Sequence, residues 1–288
     1  MRQTKIPMLT STIALLLNIG FNYLAIFVFD LGLLGVAWGT LIARIVEVIV
    51  QEIQIRYNKI PIRINLKNYF AFNLGIVKDF FHITIFVFLN EVLWTVGVMS
   101  HSIAYGIIRT NYQITIQIAM SIIMLFTVFG NSIALVTRVV IANTLGAGEN
   151  DLSIRYSHKC MIVGGAASMI MGGLMILFSN YIVRIYNLEP DVARYVANML
   201  RVAGGFLTIR TINFIAISGI LQSGSEGKWC FKVEAGTMYL IGVPLAFISA
   251  YMGMPIYIIY LLISVEEIVK MIFVIRKIFS NSWANTIV

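Results

Sequence analysis

The sequence predicts an all-α integral membrane protein with about eight transmembrane helices, on three observations. Of 288 residues, 59% are hydrophobic and only 12% charged, too few polar groups to cover a water-facing surface. Mean hydropathy is positive, at +0.87. Apolar runs of about 20 residues, the length a helix needs to cross a bilayer, recur along the chain; strands of a barrel would be about half as long and would alternate.

The first span is expected at 8–29. Arg2 and Lys5 before it suggest a secretory leader, but the run is too long, no small-x-small cleavage site follows, and a second span comes at once, so it is read as a span that stays. "FDLG" at 29–32 turns the chain into 31–55, and "NKIPIRINLKN" at 58–68 separates that from 80–105. "YGIIRTN" at 105–111 precedes 111–141, and "GAGENDLS" at 146–153 precedes 158–179. "NLEPD" at 187–191 leads into 192–222, "QSGSEGK" at 222–228 into 229–252, and "MGMP" at 252–255 into 254–276. Each interruption carries Gly, Pro, Asn or Asp, the residues that break helices and make turns.

The net charge of +8 comes from 21 Lys and Arg against 13 Asp and Glu. The cations stand singly between apolar runs, with no basic stripe and no interleaved aromatics, which excludes a nucleic-acid partner and leaves membrane orientation as their role. Arg2 and Lys5, then Arg56, Lys59, Arg63, Lys67 and Lys78, then Arg155 and Lys159, Lys228 and Lys232, and Arg276 and Lys277 all fall on one side. The other side offers Arg109, Arg184 and Arg194. Lys and Arg are retained in the cytoplasm, so both ends of a multi-pass protein of the cytoplasmic membrane are expected there. Cys160 and Cys230 lie without a CxxC or a His at ligand spacing, so neither a zinc site nor a disulfide is predicted. His82, His101 and His158 are spread apart, and no metal site is assigned to them. No phosphate loop, nucleophile elbow or catalytic carboxylate pair is present, so no enzyme and no cofactor is expected.

An internal repeat is visible. "KIPMLTSTIALLLNIGFNYLAIF" from Lys5 falls on "KWCFKVEAGTMYLIGVPLAFIS" from Lys228, and "ARIVEVIVQEIQIR" falls on "ISVEEIVKMIFVIR", bringing Glu47 onto Glu267 and Arg56 onto Arg276. Secondary transporters are commonly built from duplicated halves with the ligand bound between them. On this reading residues 1–60 hold the last two helices of a first lobe, 61–79 an inter-lobe cytoplasmic linker, 80–280 a complete six-helix second lobe and 281–288 a cytoplasmic tail. Four helices of the first lobe, about 150 residues, would then belong ahead of Met1.

Several of these stretches, in order, resemble the multidrug and toxic compound extrusion (MATE) family of efflux transporters. They are "TRVVIANTLGAGENDLSIRYSHK" at 137–159, "RTINFIAISGILQSGSEGKW" at 210–229, "SVEEIVKMIFVIRKIFSNSWANTI" at 264–287, and "QTKIPM" with "NIGFNYLAIF" near the start. The resemblance implies twelve helices in two six-helix lobes, no cofactor, and export of small organic cations against a proton or sodium gradient. The family's first-lobe acid sits on a helix that would precede Met1. Thr211, before Gly219, stands where some members carry a cation-binding Asp, which argues against sodium coordination by that route.

Ionised side chains in mid-membrane cost roughly 2.5–3.5 kcal/mol each on insertion scales, so each needs a partner, an aqueous cavity or a function. Glu91 leads the candidates, 11 residues into the third span, or about 16 Å. Thr95 and Ser102 share its face, and Asn90, Trp94 and His101 form the next stripe; a second-lobe Glu on this helix also matches the family's cation-site position. The alternative is a satisfied structural carboxylate. Arg210 lies at similar depth on the sixth span, so an ion pair with Glu91, loosened by protonation, is one expectation; the other is that Arg210 and Asn213 bond carbonyls or hydroxyls of a neighbour. Arg44 with Glu47, and Glu266 and Glu267 with Lys270, are spaced for pairing on their own helices and are read as structural charge pairs. Arg138 has no evident partner. Fourteen Met and 18 Phe would suit an adaptable lining for aromatic cations, or simply face lipid.

The reading reached is a secondary active transporter in which membrane lipid, a small organic cation and a coupling proton or sodium ion are the partners. Its alternatives are a truncated remnant that inserts without alternating access, or a related lipid-linked sugar flippase, which would call for more cavity cations than Arg138 and Arg210.

Overall fold

The computed structural model describes residues 5–57, 74–108 and 110–284, and among these every regular element is helical. The turn at 58–68, Arg109 and the last residues of the tail lie outside the described residues. The chain divides into two compact units, Met1–Leu74 and Gly75–Val288.

The first unit is an antiparallel hairpin. Helix α1 (Lys5–Tyr23) runs on through a π-helical turn at Leu24–Val28 and is followed by α2 (Gly32–Tyr57). Contacts descend in step along the pair: Ser11 donates to Glu47 at 2.9 Å, Asn18 to Thr40 at 3.1 Å, and Gly39 and Gly35 sit against Asn22 and Ala25. The large apolar side chains of this pair point mostly outward, Leu33 at 86% exposure being the extreme, which suits a lipid surround and would be untenable in water.

The second unit contains α3 (Leu74–Ile108), α4 (Thr110–Gly146), α5 (Asn150–Ile185), α6 (Pro190–Phe214, continued by a π-helical stretch at Ile215–Leu221), α7 (Gly227–Thr237, a π-helical turn at Met238–Gly242, then Val243–Tyr251) and α8 (Ile256–Phe279). The turn residues seen in the sequence do the work expected of them. Gly148 at φ +76° and Gly253 at φ +66° each follow a helix end. There the next residue's N–H reaches back five positions, Glu149 to Thr144 O at 2.9 Å and Met254 to Ser249 O at 3.1 Å. This closing motif needs a left-handed residue, which glycine supplies without strain. Pro190 and Pro255 then open α6 and α8, where a missing N–H costs nothing.

Among the described residues, seven of the helical rods are long and apolar enough to cross a membrane. The eighth, α8, has the length, but Glu266, Glu267 and Lys270 lie in its middle. Two apolar cores organise the second unit. One gathers Ala104, Ile122, Met175, Leu200, Leu207 and Ile259; the other gathers Ile141, Ile217, Leu221, Cys230, Val274 and Trp283. Along α6, α7 and α8 a set of polar residues falls between the two cores: Arg210 and Asn213, Glu234, and Ser264, Glu266, Glu267 and Lys270. A polar belt therefore crosses the bundle between two greasy layers.

Three expectations change here. Arg138 does have partners: its Nε donates to Ser218 O at 2.8 Å and a terminal nitrogen to Gln222 Oε1 at 3.1 Å. The π-helical stretch of α6 shifts the regular bonding by one residue and leaves such a carbonyl available. The beginning of the segment read as a tail is packed: Trp283 is 1% exposed, its indole N–H donates to Ile278 O at 3.1 Å, and its backbone lies against Gly224. Helices also extend past the apolar runs, α4 to Gly146 and α5 back to Asn150. Cys160 is partly buried and Cys230 fully so, and both thiols are free.

Candidate functional site

The belt is built from four helices. On α8 the ammonium of Lys270 lies 3.3 Å from Glu267 Oε1 and 3.9 Å from Glu266 Oε1, one turn away on the same face. Glu266 and Lys270 are each 5% exposed, so neither charge is solvated and each depends on the other. From α6, Asn213 Nδ2 donates to Glu267 twice, at 2.8 Å to Oε2 and 2.9 Å to the backbone oxygen. One turn earlier Arg210 donates to Tyr260 Oη at 2.6 Å and to Ser264 Oγ at 3.1 Å, its guanidinium 5.0 Å from the Tyr260 ring centre. From α7, Glu234 accepts from Asn90 Nδ2 on α3. A narrow cavity of about 10 Å³ between Asn90, Trp94, Glu234, Met238 and Lys270 is about large enough for one water molecule, and it joins the α7 carboxylate to the α8 ammonium.

The π-helical turn of α7 brings backbone close to this group. Gly242 is in the turn, and a Cβ there would fall 2.0 Å from Glu266 Oε2 and 3.4 Å from His101 Nε2. Any side chain there would displace the Glu266 carboxylate from its present position. Those two atoms, with Arg210 Nε and Asn213 Oδ1, are buried and make no hydrogen bond among the described residues, a concentration of unmet polar capacity in one place. Three carboxylates, Glu234, Glu266 and Glu267, face two cations, Lys270 and Arg210. If all five are ionised, the belt carries one uncompensated negative charge.

The expected site residues divide. Asn90, Arg210 and Asn213 enter the belt, and Glu266, Glu267 and Lys270 are its centre. Trp94 borders the small cavity with much of its ring exposed. Glu91 and Thr95 stand on the exposed side of α3, where Thr95 Oγ1 donates to the Glu91 backbone oxygen at 2.8 Å. The expected ion pair between Glu91 and Arg210 is not formed, because Arg210 turns toward α8 and is taken up by Tyr260 and Ser264. Arg44 and Glu47 pair at 2.7 Å on α2, in the other unit. Glu234, Tyr260, Ser264 and Gly242 were not singled out in the sequence. A lone acid inside an apolar span was the available signal for Glu234; nothing local marks the other three.

Known proteins resemble this chain in sequence and fold. The MatE family model matches residues 114–248, from α4 through α7. An uncharacterized transporter of Bacillus subtilis, YisQ, is 24% identical over 273 residues, covering 93% of this chain and 60% of its own length. Protein DETOXIFICATION 16 of Arabidopsis thaliana is 29% identical over 126 residues, 43% of this chain and 25% of that protein. Among solved structures, a MATE in the straight conformation superposes with a TM-score of 0.81 at 16% identity, over 95% of this chain and 62% of that one. The Vibrio cholerae MATE transporter VcmN gives 0.81 at 14% identity, over 97% and 64%. ClbM, solved in complex with Rb+, gives 0.77 at 16% identity, over 96% and 62%. The chain thus spans about 60% of the length of the relatives it matches along most of its own. Over residues 114–248 the chain matches the MatE family model, its fold is that of solved MATE transporters, and the relative it resembles along most of its length is an uncharacterized transporter.

Proposed function

We propose that this chain belongs to a secondary active transporter of the cytoplasmic membrane, exporting small organic cations by antiport, with the buried belt of the second unit as its ion-coupling centre. The observation that carries the reading is the single excess carboxylate in that belt, beside the unpartnered Glu266 Oε2 and His101 Nε2. An uncompensated charge buried between two apolar cores is costly, and a bound proton or cation removes the cost. A proton is favoured over sodium, since the Lys270 ammonium already sits between Glu266 and Glu267 at 3.9 and 3.3 Å, where a metal ion bridging them would have to be. Proton arrival at Glu266 weakens its hold on Lys270, and the adjoining π-helical turn at Met238–Gly242 is the element placed to respond. The exposed stripe of α3 with Glu91, Trp94 and Thr95 is assigned to the organic cation, a carboxylate and an indole face being suited to it.

In this proposal residues 1–60 are the closing helices of a first lobe and 80–280 the second lobe, with both chain ends cytoplasmic. The alternative is that the chain inserts without carrying substrate. Proteoliposomes containing the chain, with a pH gradient imposed and a fluorescent aromatic cation supplied, separate the two. Wild-type protein is expected to move the dye in proportion to the gradient, and E266Q to lose about tenfold or more of that flux, the equivalent of about 1.4 kcal/mol. No movement by wild type would favour that alternative, and unchanged proton dependence in E266Q would remove the belt from the coupling step.

A further inference from the structure

A second polar feature lies away from the belt, where α5 ends and α6 begins. A cavity of about 460 Å³ opens there, lined among others by Asn180, Arg184, Asn187, Arg194, Asn198 and Arg201, a volume within the usual range for ligand pockets. No carboxylate lines it; Glu189 and Asp191 belong to the same turn but are not part of its wall. Arg201 is held from two sides, donating to Asn198 Oδ1 at 2.9 Å and Asn180 Oδ1 at 2.9 Å. Each asparagine uses its oxygen on the guanidinium and keeps its amide N–H groups as further donors. Arg184 and Arg194 are exposed and make no ion pair among the described residues.

Three guanidinium groups and three amides therefore converge on one cavity with no anion of the protein's own. Orientation does not account for them. On the positive-inside reading, Arg184 and Arg194 are two of the three cations on the side that should have few, and they share a single pocket. Arg201, 11 residues into α6 and so about 16 Å along it, is exposed and completes the pocket. The outer surface nearby has the pattern of a membrane interface: Tyr181 and Tyr186 are exposed beside the cavity, and Leu177 and Ile185 face outward from the same helix. Tyrosine at that position favours the headgroup level of a bilayer, and guanidinium forks match phosphate oxygens in shape and charge.

We propose that this cavity is a binding site for a phosphate group, supplied by the headgroup of a membrane phospholipid whose chains lie along the apolar outer side of α5. The site is independent of the coupling belt and of the cargo carried.

The test uses the whole chain, purified in detergent and stripped of lipid, with bound ligand measured by native mass spectrometry. The probes are dioctanoyl phosphatidylglycerol, dioctanoylglycerol and inorganic phosphate. Phosphatidylglycerol is expected to bind, dioctanoylglycerol not to, and R184Q/R194Q to weaken the lipid by about tenfold or more as charge-assisted bonds are lost. R184K/R194K keeps the charge without the fork and is expected to fall between. Because the substituted residues are exposed, both variants should melt at the wild-type temperature, which separates loss of the site from loss of the fold. Binding of inorganic phosphate alone, with the same sensitivity to R184Q/R194Q, supports the phosphate site and makes a free anion its source. Equal binding of dioctanoylglycerol, or phosphate and lipid affinities unmoved by R184Q/R194Q, overturns it.

Discussion

Two pairs of adjacent glycines make a sharp prediction about how α5 and α6 are held together. A Cβ built on Gly172 meets the carbonyl oxygen of Gly204 at 2.5 Å, and one built on Gly204 meets the carbonyl oxygen of Gly172 at 2.7 Å. Their neighbours Gly173 and Gly205 have nothing within 4 Å of a built Cβ. The obstruction at Gly172 is main chain, which cannot rotate away as a side chain could, so G172A must push two helices apart by several tenths of an ångström. Overpacking of this kind costs about 1–3 kcal/mol, and a rigid carbonyl belongs at the upper end. G173A meets no obstruction and gains at most about 1 kcal/mol from the lower backbone entropy of alanine in a helix. At about 2–4 °C per kcal/mol for a chain of this order of size, G172A should melt about 4–10 °C below wild type. G173A should melt at or slightly above it. Thermal unfolding followed by tryptophan fluorescence in one detergent reads both, and G204A with G205A repeats the comparison from the facing helix. Equal shifts for G172A and G173A would refute the close backbone crossing, since composition and helix position are the same for both.

Three further outcomes follow from the same geometry. Y260F removes the 2.6 Å partner of Arg210 while keeping the ring beneath the guanidinium; losing a hydrogen bond to a charged group should cost about 1.5–3 kcal/mol, read as a lower melting temperature, and an unchanged melt would mean that Arg210 does not depend on the Tyr260 hydroxyl. W283A empties a fully buried site between α8 and Gly224 and should cost about 3–5 kcal/mol; a melt like that of wild type would show the segment to be a free tail after all. Maleimide should modify Cys160, which is partly buried, and spare Cys230, which is inaccessible, until detergent denaturation releases both; rapid labelling of native Cys230 would contradict the second apolar core.

The helices were legible because membrane spans advertise themselves by length and composition, and the turns because Gly148, Pro190, Gly253 and Pro255 do in this fold what those residues do in most. The helix ends were less legible for a physical reason. Apolar runs mark where lipid is, whereas a helix ends where its last carbonyls find other donors. Thus α5 begins at Asn150, two turns before the apolar run, with Arg155, His158 and Lys159 already helical. The π-helical turns at Ile215–Leu221 and Met238–Gly242 left no trace in residue spacing, since one extra residue in a continuously apolar stretch changes nothing that periodicity can register.

The site shows the same division at higher stakes. Successive residues of a helix point about 100° apart, so Asn90 and Glu91 had to lie on different sides, and α3 carries a polar stripe with each of them, which leaves inside and outside undecided from sequence. Ranking Glu91 first followed charge and depth. The structure turns Asn90 inward to Glu234 and leaves Glu91 exposed. Pairing within α8 was readable from spacing alone, because i+3 and i+4 neighbours meet on any helix. What makes those charges a centre is long-range: Asn213 reaches Glu267 and Arg210 reaches Ser264 across 54 residues of chain, and Gly242 admits Glu266 only because α7 carries a π-helical turn at that level. A sequence states which charges a membrane protein must bury; only the packing of α6, α7 and α8 decides that five of them share one layer and that the cations fall one short.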